Sequence, residues 1–240
     1  MEEKTYTEGI KPEGKFYRWF DNYWYHYKWH TLAALFVAIV LVVCTLQMCE
    51  KQKEDTTFLY AGPRQLSGEE VENIRGVLNA VMPEDYDKDG KKYAGIVDYL
   101  IYSEEQIKEI EASTDAYGVA VDVNNQYITN NYESYYDYLL SGESAVCFLD
   151  PHLYTELRKN GRLMTLVSVL GEDSGYGSES CGIILGKTEI YEEYSALRVL
   201  PEDTVVCVLK QVVMGRISND EVYENELDIF RAIVNYTEEK

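Results

Sequence analysis

"YESYYDYLLSGESAVCFLDPHLYTELRKNG", from Tyr132 to Gly161, contains a complete change of secondary structure in both directions. In its first part Tyr132, Tyr136, Leu139 and Leu140 recur at helical spacing, which predicts a helix running up to Gly142. "SAVCFLD" then gives an unbroken apolar run of strand length, the signature of a strand covered on both faces. Pro151 is a favoured first helical residue and Gly161 a favoured residue just past a helix end, so "PHLYTELRKNG" is predicted to be a second helix. Helix, buried strand, helix is the unit from which an α/β domain is built.

The same alternation extends on either side. "TFLYAGP", near Thr57 to Pro63, reads as a first strand. "LSGEEVENIRGVLNAVM" reads as a helix capped by Ser67 with Glu70 three residues on, and with Val71, Ile74, Leu78 and Val81 along one face. "KYAGIVDYLIYS" is predicted to be a strand, and Ser103 to cap a helix whose first residues, Glu104 and Glu105, suit the helix dipole. "VAVDVNNQYI" reads as β structure with a turn at Asn124 and Asn125. Further on, "CGIILGK" and "DTVVCVLKQ" are predicted strands and "DEVYENELDIFRAIVNYTEE" a final helix. Residues 57–240 are therefore expected to form one α/β domain.

Upstream the chain changes character. From Thr31 to Met48 no residue is charged, and an apolar run interrupted only by Cys44, Thr45 and Gln47 covers about 27 Å as a helix, close to the roughly 30 Å of a bilayer's hydrocarbon core. The apolar character runs all the way round, whereas a soluble surface helix carries a single apolar stripe. Phe16, Tyr17, Trp19, Phe20, Tyr23, Trp24, Tyr25, Tyr27 and Trp29, mixed with Lys15, Arg18 and Lys28, precede the run as an interfacial belt would. A cleaved signal peptide has a short basic leader and small residues at the cut, and neither is present. Val43 and Met48 stand before Cys44 and Cys49, where a lipidated leader has a small residue.

The expected organisation is an aromatic and basic juxtamembrane segment over residues 1–30, a transmembrane helix over 31–48, a charged tether over 49–56 and the α/β domain beyond. Lys11, Lys15, Arg18 and Lys28 before the span outweigh Lys51, Lys53 and Arg64 after it, which predicts a cytoplasmic N-terminus and an extracytoplasmic domain at the cell membrane. The 42 acidic against 22 basic residues give a net charge of −20, which repels nucleic acid.

The order "TFLYAGP", helix, "GIVDYLIYSEEQI", "YESYYDYLLSGESAVCFLDPHLYTEL", "GRLMTLVSVLG" resembles extracellular solute-binding proteins of the type II periplasmic-binding fold. The likeness covers most of Thr57 to Tyr236. It implies a reduced, helix-anchored relative of the sort found among membrane proteins of clostridial-type bacteria, and a domain that faces a substrate.

Candidate chemistry is sparse. In "EDYDKDGKKYAGIVD", Asp85, Asp87, Asp89 and Gly90 match the opening of a calcium loop, and Gly90 suits a positive φ. The twelfth position, where a full loop has a bidentate Glu, is Ile96; Asp98 or Glu84 would have to complete the shell. The alternative is an Asp-Gly surface turn. Tyr132, Tyr135, Tyr136 and Tyr138 offer a stacking surface, but their spacing is that of an ordinary core face. Cys147, Cys181 and Cys207 lie in apolar runs without metal spacing, so a disulfide and buried free thiols both remain open. His152 is read as a polar helix residue, and the glycine-rich stretch Leu170 to Ser180 as a surface loop. No nucleophile elbow, phosphate loop, dinucleotide fingerprint or zinc-protease motif occurs.

The expected function is accordingly a single-pass, non-catalytic binding protein that recognises a small solute or a membrane-protein partner at the envelope. The alternative is a structural or assembly subunit without a ligand cleft. No cofactor is expected beyond calcium at Asp85, Asp87 and Asp89.

Overall fold

A computed structural model describes residues 14–49, 53–113 and 123–237. The chain divides into two units, Met1–Gln52 and Lys53–Lys240.

Among its described residues the first unit is a single helix, α1 (Lys15–Cys49). It is longer than the span expected over residues 31–48, because the aromatic segment is helical as well. Its Trp19–Thr45 stretch contains an 18-residue window of mean hydropathy 1.9 and is by length and composition long and apolar enough to cross a membrane. Successive turns stack their rings: Trp19 on Tyr23 at 5.7 Å, Phe20 on Trp24 at 6.1 Å and Tyr23 on Tyr27 at 5.4 Å between centroids. These are the pairs that a 3.6-residue repeat brings together. Thr45 donates its hydroxyl back to the Leu41 and Val42 carbonyls, which hides it within the helix.

The second unit is a five-stranded sheet with helices on both faces. Its elements are β1 (Thr56–Gly62), α2 (Gly68–Val81), β2 (Ala94–Leu100), α3 (Glu104–Glu111), α4 (Asn125–Ser141), β3 (Val146–Leu149), α5 (Pro151–Lys159), α6 (Leu166–Leu170), β4 (Gly182–Ile184), α7 (Glu189–Glu193), β5 (Val205–Val208) and α8 (Asp220–Val234). The strand order is β2-β1-β3-β5-β4. β1 runs parallel to β2 and to β3, while β5 lies antiparallel to both β3 and β4.

The two-residue period of the strands divides the core in two. Phe58, Tyr60, Val146, Phe148, Val206 and Val208 point to one face, where Ile74 and Leu78 of α2 and Leu227, Phe230 and Ile233 of α8 cover them. Leu59, Ala61, Cys147, Leu149 and Cys207 point to the other, under Tyr135 and Leu139 of α4 and Leu153 and Leu157 of α5. Every residue of β1 is buried, as a strand covered on both sides requires.

The caps form where the sequence signals them. Ser67 and Glu70 make a reciprocal capping box on α2, and Ser103 makes one on α3 with Gln106 as its partner. Asp150 caps α5 ahead of Pro151, and Gly161 takes the left-handed φ of +65° beyond it.

Three expectations are corrected. The turn expected at Asn124 and Asn125 is a helix start: the Asn124 side chain accepts the Tyr127 N–H, so the residues after it, read as β, belong to α4. Val119–Asp122 of that predicted strand fall outside the described residues. The buried face of α4 is centred on Tyr135 and Leu139, not on Tyr136 and Leu140, and Leu140 is about half exposed. The tether expected over residues 49–56 is shorter, since Cys49 ends α1 and Asp55 and Thr56 are buried in the domain.

Cys147, Cys181 and Cys207 are buried free thiols, which resolves the open alternative. Burial pushes the Cys147 and Cys207 thiols well up, so they behave as small hydrophobes.

Candidate functional site

The chain leaves β1 for β2 on one side and later returns to β3 on the other. The carboxyl ends of β1 and β3 therefore diverge into crossovers on opposite sides, the place where open α/β sheets form a binding crevice. The parallel ladder continues one residue past the strands: Ile101 N–H donates to the Gly62 carbonyl at 2.8 Å and Asp150 N–H to the Ala61 carbonyl at 2.9 Å. This locks the turns after β1, β2 and β3 into one rim.

A polar cluster ties that rim together. Asp150, 6% exposed, accepts the His152 backbone N–H at 3.0 Å and contacts the His152 ring Nδ1 at 2.5 Å through one oxygen. Its second oxygen accepts from the Gln106 amide at 3.0 Å. The carbonyl end of Gln106 accepts the Ser103 N–H at 2.7 Å, so both ends of this amide are fixed and its orientation with them. One side chain thus links the α3 cap to the α5 cap across the end of β1. Burial works to raise the Asp150 carboxyl, but the bonds from the His152 ring and backbone and from Gln106 outweigh it and hold it below the ordinary range. With Asp150 ionised, Nδ1 of the part-exposed His152 ring is the donor in that contact.

Beside the cluster lies a hollow of about 410 Å³ lined by Pro63, Tyr102, Gln106, Glu109, Ile110 and Ser113. A second of about 220 Å³ adjoins it through Tyr102 and Ile110 and includes Tyr127, a residue 44% exposed. The walls therefore combine aromatic and aliphatic surface with the fixed amide of Gln106 and the carboxylate of Glu109. At the β1 corner the cation of Arg64 is engaged by Glu70 at 2.5 Å.

The expected calcium-loop residues lie elsewhere, at the amino end of β1 and β2. There the structure gathers Asp85 and Asp87 with Asp55, their carboxylate oxygens within 4.8 Å of one another. Asp89 turns away to accept the Lys91 N–H at 2.8 Å. Asp98 sits in mid-β2 and accepts the Leu66 N–H at 3.4 Å, so it does not complete that shell. The oxygens of the trio are bound to the backbone: Asp55 accepts from Tyr86, Asp87 and Tyr93, Asp85 from Lys88 and Gly90, and Asp87 from Asp89. Slight desolvation opposes ionisation of Asp85, but the Gly90 and Lys88 N–H groups hold its carboxyl low. The Asp89 N–H pulls Asp87 down, yet desolvation and its carboxylate neighbours leave it raised. Gly90 has φ +93° as expected, and Lys88 shares the left-handed region at +60°. This is the hydrogen-bond pattern of a chain of Asx turns.

The tyrosines of α4 pack rather than stand open. Tyr135 is 1% exposed, and Tyr132 and Tyr136 donate to Glu156 at 3.1 and 2.5 Å. Sequence reasoning missed Gln106 and Asp150 as site residues. Their only local signals were the Gln three residues after a Ser cap and the Asp-Pro pair, both of which read as helix starts. Compared with protein-family models, curated proteins and solved structures, the chain shows no match in any of the three.

Proposed function

We propose that this protein is a membrane-anchored recognition module whose crevice, at the carboxyl ends of β1, β2 and β3, takes a small neutral or cationic solute without transforming it. The carrying observation is the Asp150–Gln106–His152 cluster, a pre-fixed set of polar groups at the sheet's switch point beside an aromatic hollow. Acceptors predominate there, which favours a solute presenting hydroxyl or amino groups, with Tyr102 and Tyr127 offering surface to its apolar side. Among the described residues no hydroxyl or thiol is hydrogen-bonded to the His152 ring, so the ring serves orientation and recognition rather than nucleophile activation. On this reading α1 is the anchor, the N-terminus is cytoplasmic, the domain is extracytoplasmic, and the chain is a reduced relative of the type II periplasmic-binding fold.

The test is thermal unfolding of the full chain in detergent against panels of sugars, amino acids, short peptides and calcium. A solute bound only by the native state at a hundredfold excess over its Kd adds about 2.7 kcal/mol. The expected result is a shift with one solute class that His152→Ala abolishes while leaving the unliganded Tm near that of the parent. A flat panel overturns solute recognition. Protease shaving of intact cells carrying tags at both ends tests the topology: loss of only the C-terminal tag is expected, and its protection until lysis would place the domain in the cytosol.

A further inference from the structure

One face of α3 forms a wall of the larger hollow. Gln106, Glu109 and Ile110, three and four residues apart, fall on it together, and Ser113 extends it past the helix end. Lys108, the one cation of this helix, falls on another face and leans towards Glu104 at 3.9 Å. Among the described residues that line either hollow, Glu109 is the only charged one. It is exposed, and among the described residues no hydrogen bond or ion pair engages it.

The polar groups beside Glu109 are turned the same way. Ser113 spends its O–H on the Ile110 carbonyl at 2.6 Å, which leaves its lone pairs for a guest. Gln106 directs an amide N–H to Asp150, and its carbonyl oxygen, bound to the Ser103 N–H, keeps a second lone pair. Acceptors thus surround a carboxylate, an arrangement matched by a group that carries several N–H donors and a positive charge. A carboxylate or phosphate on the guest would face Glu109 with no described lining cation to receive it. The adjoining hollow differs in character: Leu100, Ile110, Val123, Tyr127 and Ile128 give it largely apolar walls. Its volume of about 220 Å³ exceeds the ~150 Å³ of an apolar cavity that holds benzene. Tyr102 and Ile110 line both hollows, so one guest can span the two.

We propose that the crevice takes a primary organic ammonium with an aromatic or alkyl tail and no acidic group, its N–H groups on Glu109 and Ser113 and its tail against Tyr102 and Tyr127. This rests on the reading of the crevice as a solute site, and narrows its guests from neutral or cationic solutes to cationic ones. Charge and donors select the head, and the apolar hollow selects the tail.

The test is calorimetric titration of the full chain in detergent with three guests that share a phenyl ring on a two-carbon arm: phenethylamine, the uncharged phenethyl alcohol, and phenylalanine, which adds a carboxylate. The amine is expected to bind about tenfold more tightly than either of the others, the return of a charge-assisted hydrogen bond. Glu109→Gln, at an exposed position, is expected to keep the parent's unliganded Tm and to bring the amine down to the alcohol, while Tyr127→Ala weakens both alike. Titrating the variants in parallel cancels uptake by the micelle. An alcohol as tight as the amine, or an amine that Glu109→Gln leaves untouched, overturns the ammonium, and phenylalanine as tight as the amine overturns the exclusion of acids. If none of the three binds, this proposal fails, yet a shift with another solute class in the thermal panel keeps the crevice reading; a flat panel as well removes both.

Discussion

The Glu226 carboxylate on α8, 1% exposed, sits 3.2 Å from the Arg216 guanidinium, whose other arm binds the Asp55 carbonyl, and Glu226 also accepts the Ala145 N–H ahead of β3. Three distant segments thus meet on one buried acid. Burial pushes its pKa up to about 7, against the pull of the Ala145 N–H and Arg216. The folded chain therefore holds a proton that the unfolded chain releases at its ordinary, lower pKa. This group's stabilising contribution is complete below pH about 4.5 and is lost as pH rises through about 7, with a slope of up to ~1.4 kcal/mol per pH unit. Urea denaturation across pH 4.5–8 is expected to show that slope in the parent and a flatter curve in Glu226→Gln. Identical slopes would remove Glu226 from the account.

Asp150 has the opposite sign. Held below its ordinary range, it contributes stability that is present above pH about 3.8 and lost as pH falls through the folded value. Asp150→Asn is expected to shrink the acid-side loss in the same titration. It should also loosen α5, since the amide replaces an ionised cap. An unchanged acid limb would count against an ionised Asp150.

Asp55 accepts three backbone N–H groups, those of Tyr86, Asp87 and Tyr93, at 2.7–2.9 Å from a buried position. Asp55→Ala leaves all three donors without a partner, and the expected loss is ~2–4 kcal/mol of unfolding free energy. A loss below about 1 kcal/mol would show that water replaces the carboxylate at little cost.

Glycine substitutions should separate by backbone, not by helix or loop membership. Gly215 has φ +87° and Gly142 φ +68°, each with a main-chain oxygen where a Cβ would go, and alanine at either is expected to cost ~1–3 kcal/mol. Gly76 lies exposed within α2 with open space around it, and Gly76→Ala is expected to add ~0.5–1 kcal/mol. Equal Tm values for the three variants would contradict this.

Much of the fold was readable because its signals are local. Ser67 with Glu70, Ser103, Pro151 and Gly161 mark helix ends through bonds that span three or four residues, and "SAVCFLD" carries its burial in its own composition. Asn124 misled because an Asn pair serves a turn and a helix cap alike, and the Gln-Tyr-Ile after it suits a strand by propensity. The phase of α4 slipped by one residue since tyrosines flank the buried stripe on both sides. The site was the least legible part. Gln106 and Asp150 are 44 residues apart, and only the strand order, which no local pattern encodes, brings the ends of β2 and β3 to either side of β1. Asp55 was missed for the same reason, its partners lying more than thirty residues downstream.

The position of β5 between β3 and β4 has a consequence for how the chain is made. Synthesis proceeds at roughly 5–20 residues per second, and β1, β2 and β3 can pair as they emerge. β4 cannot, because among the described residues its only sheet partner is β5, and the inner edge of β3 stays open for the same interval. The Ala145 amide waits longer still, for Glu226 on the last helix. A ribosome stalled before residue 205 therefore holds a half-sheet with a bare apolar edge, the form most prone to join a neighbouring chain.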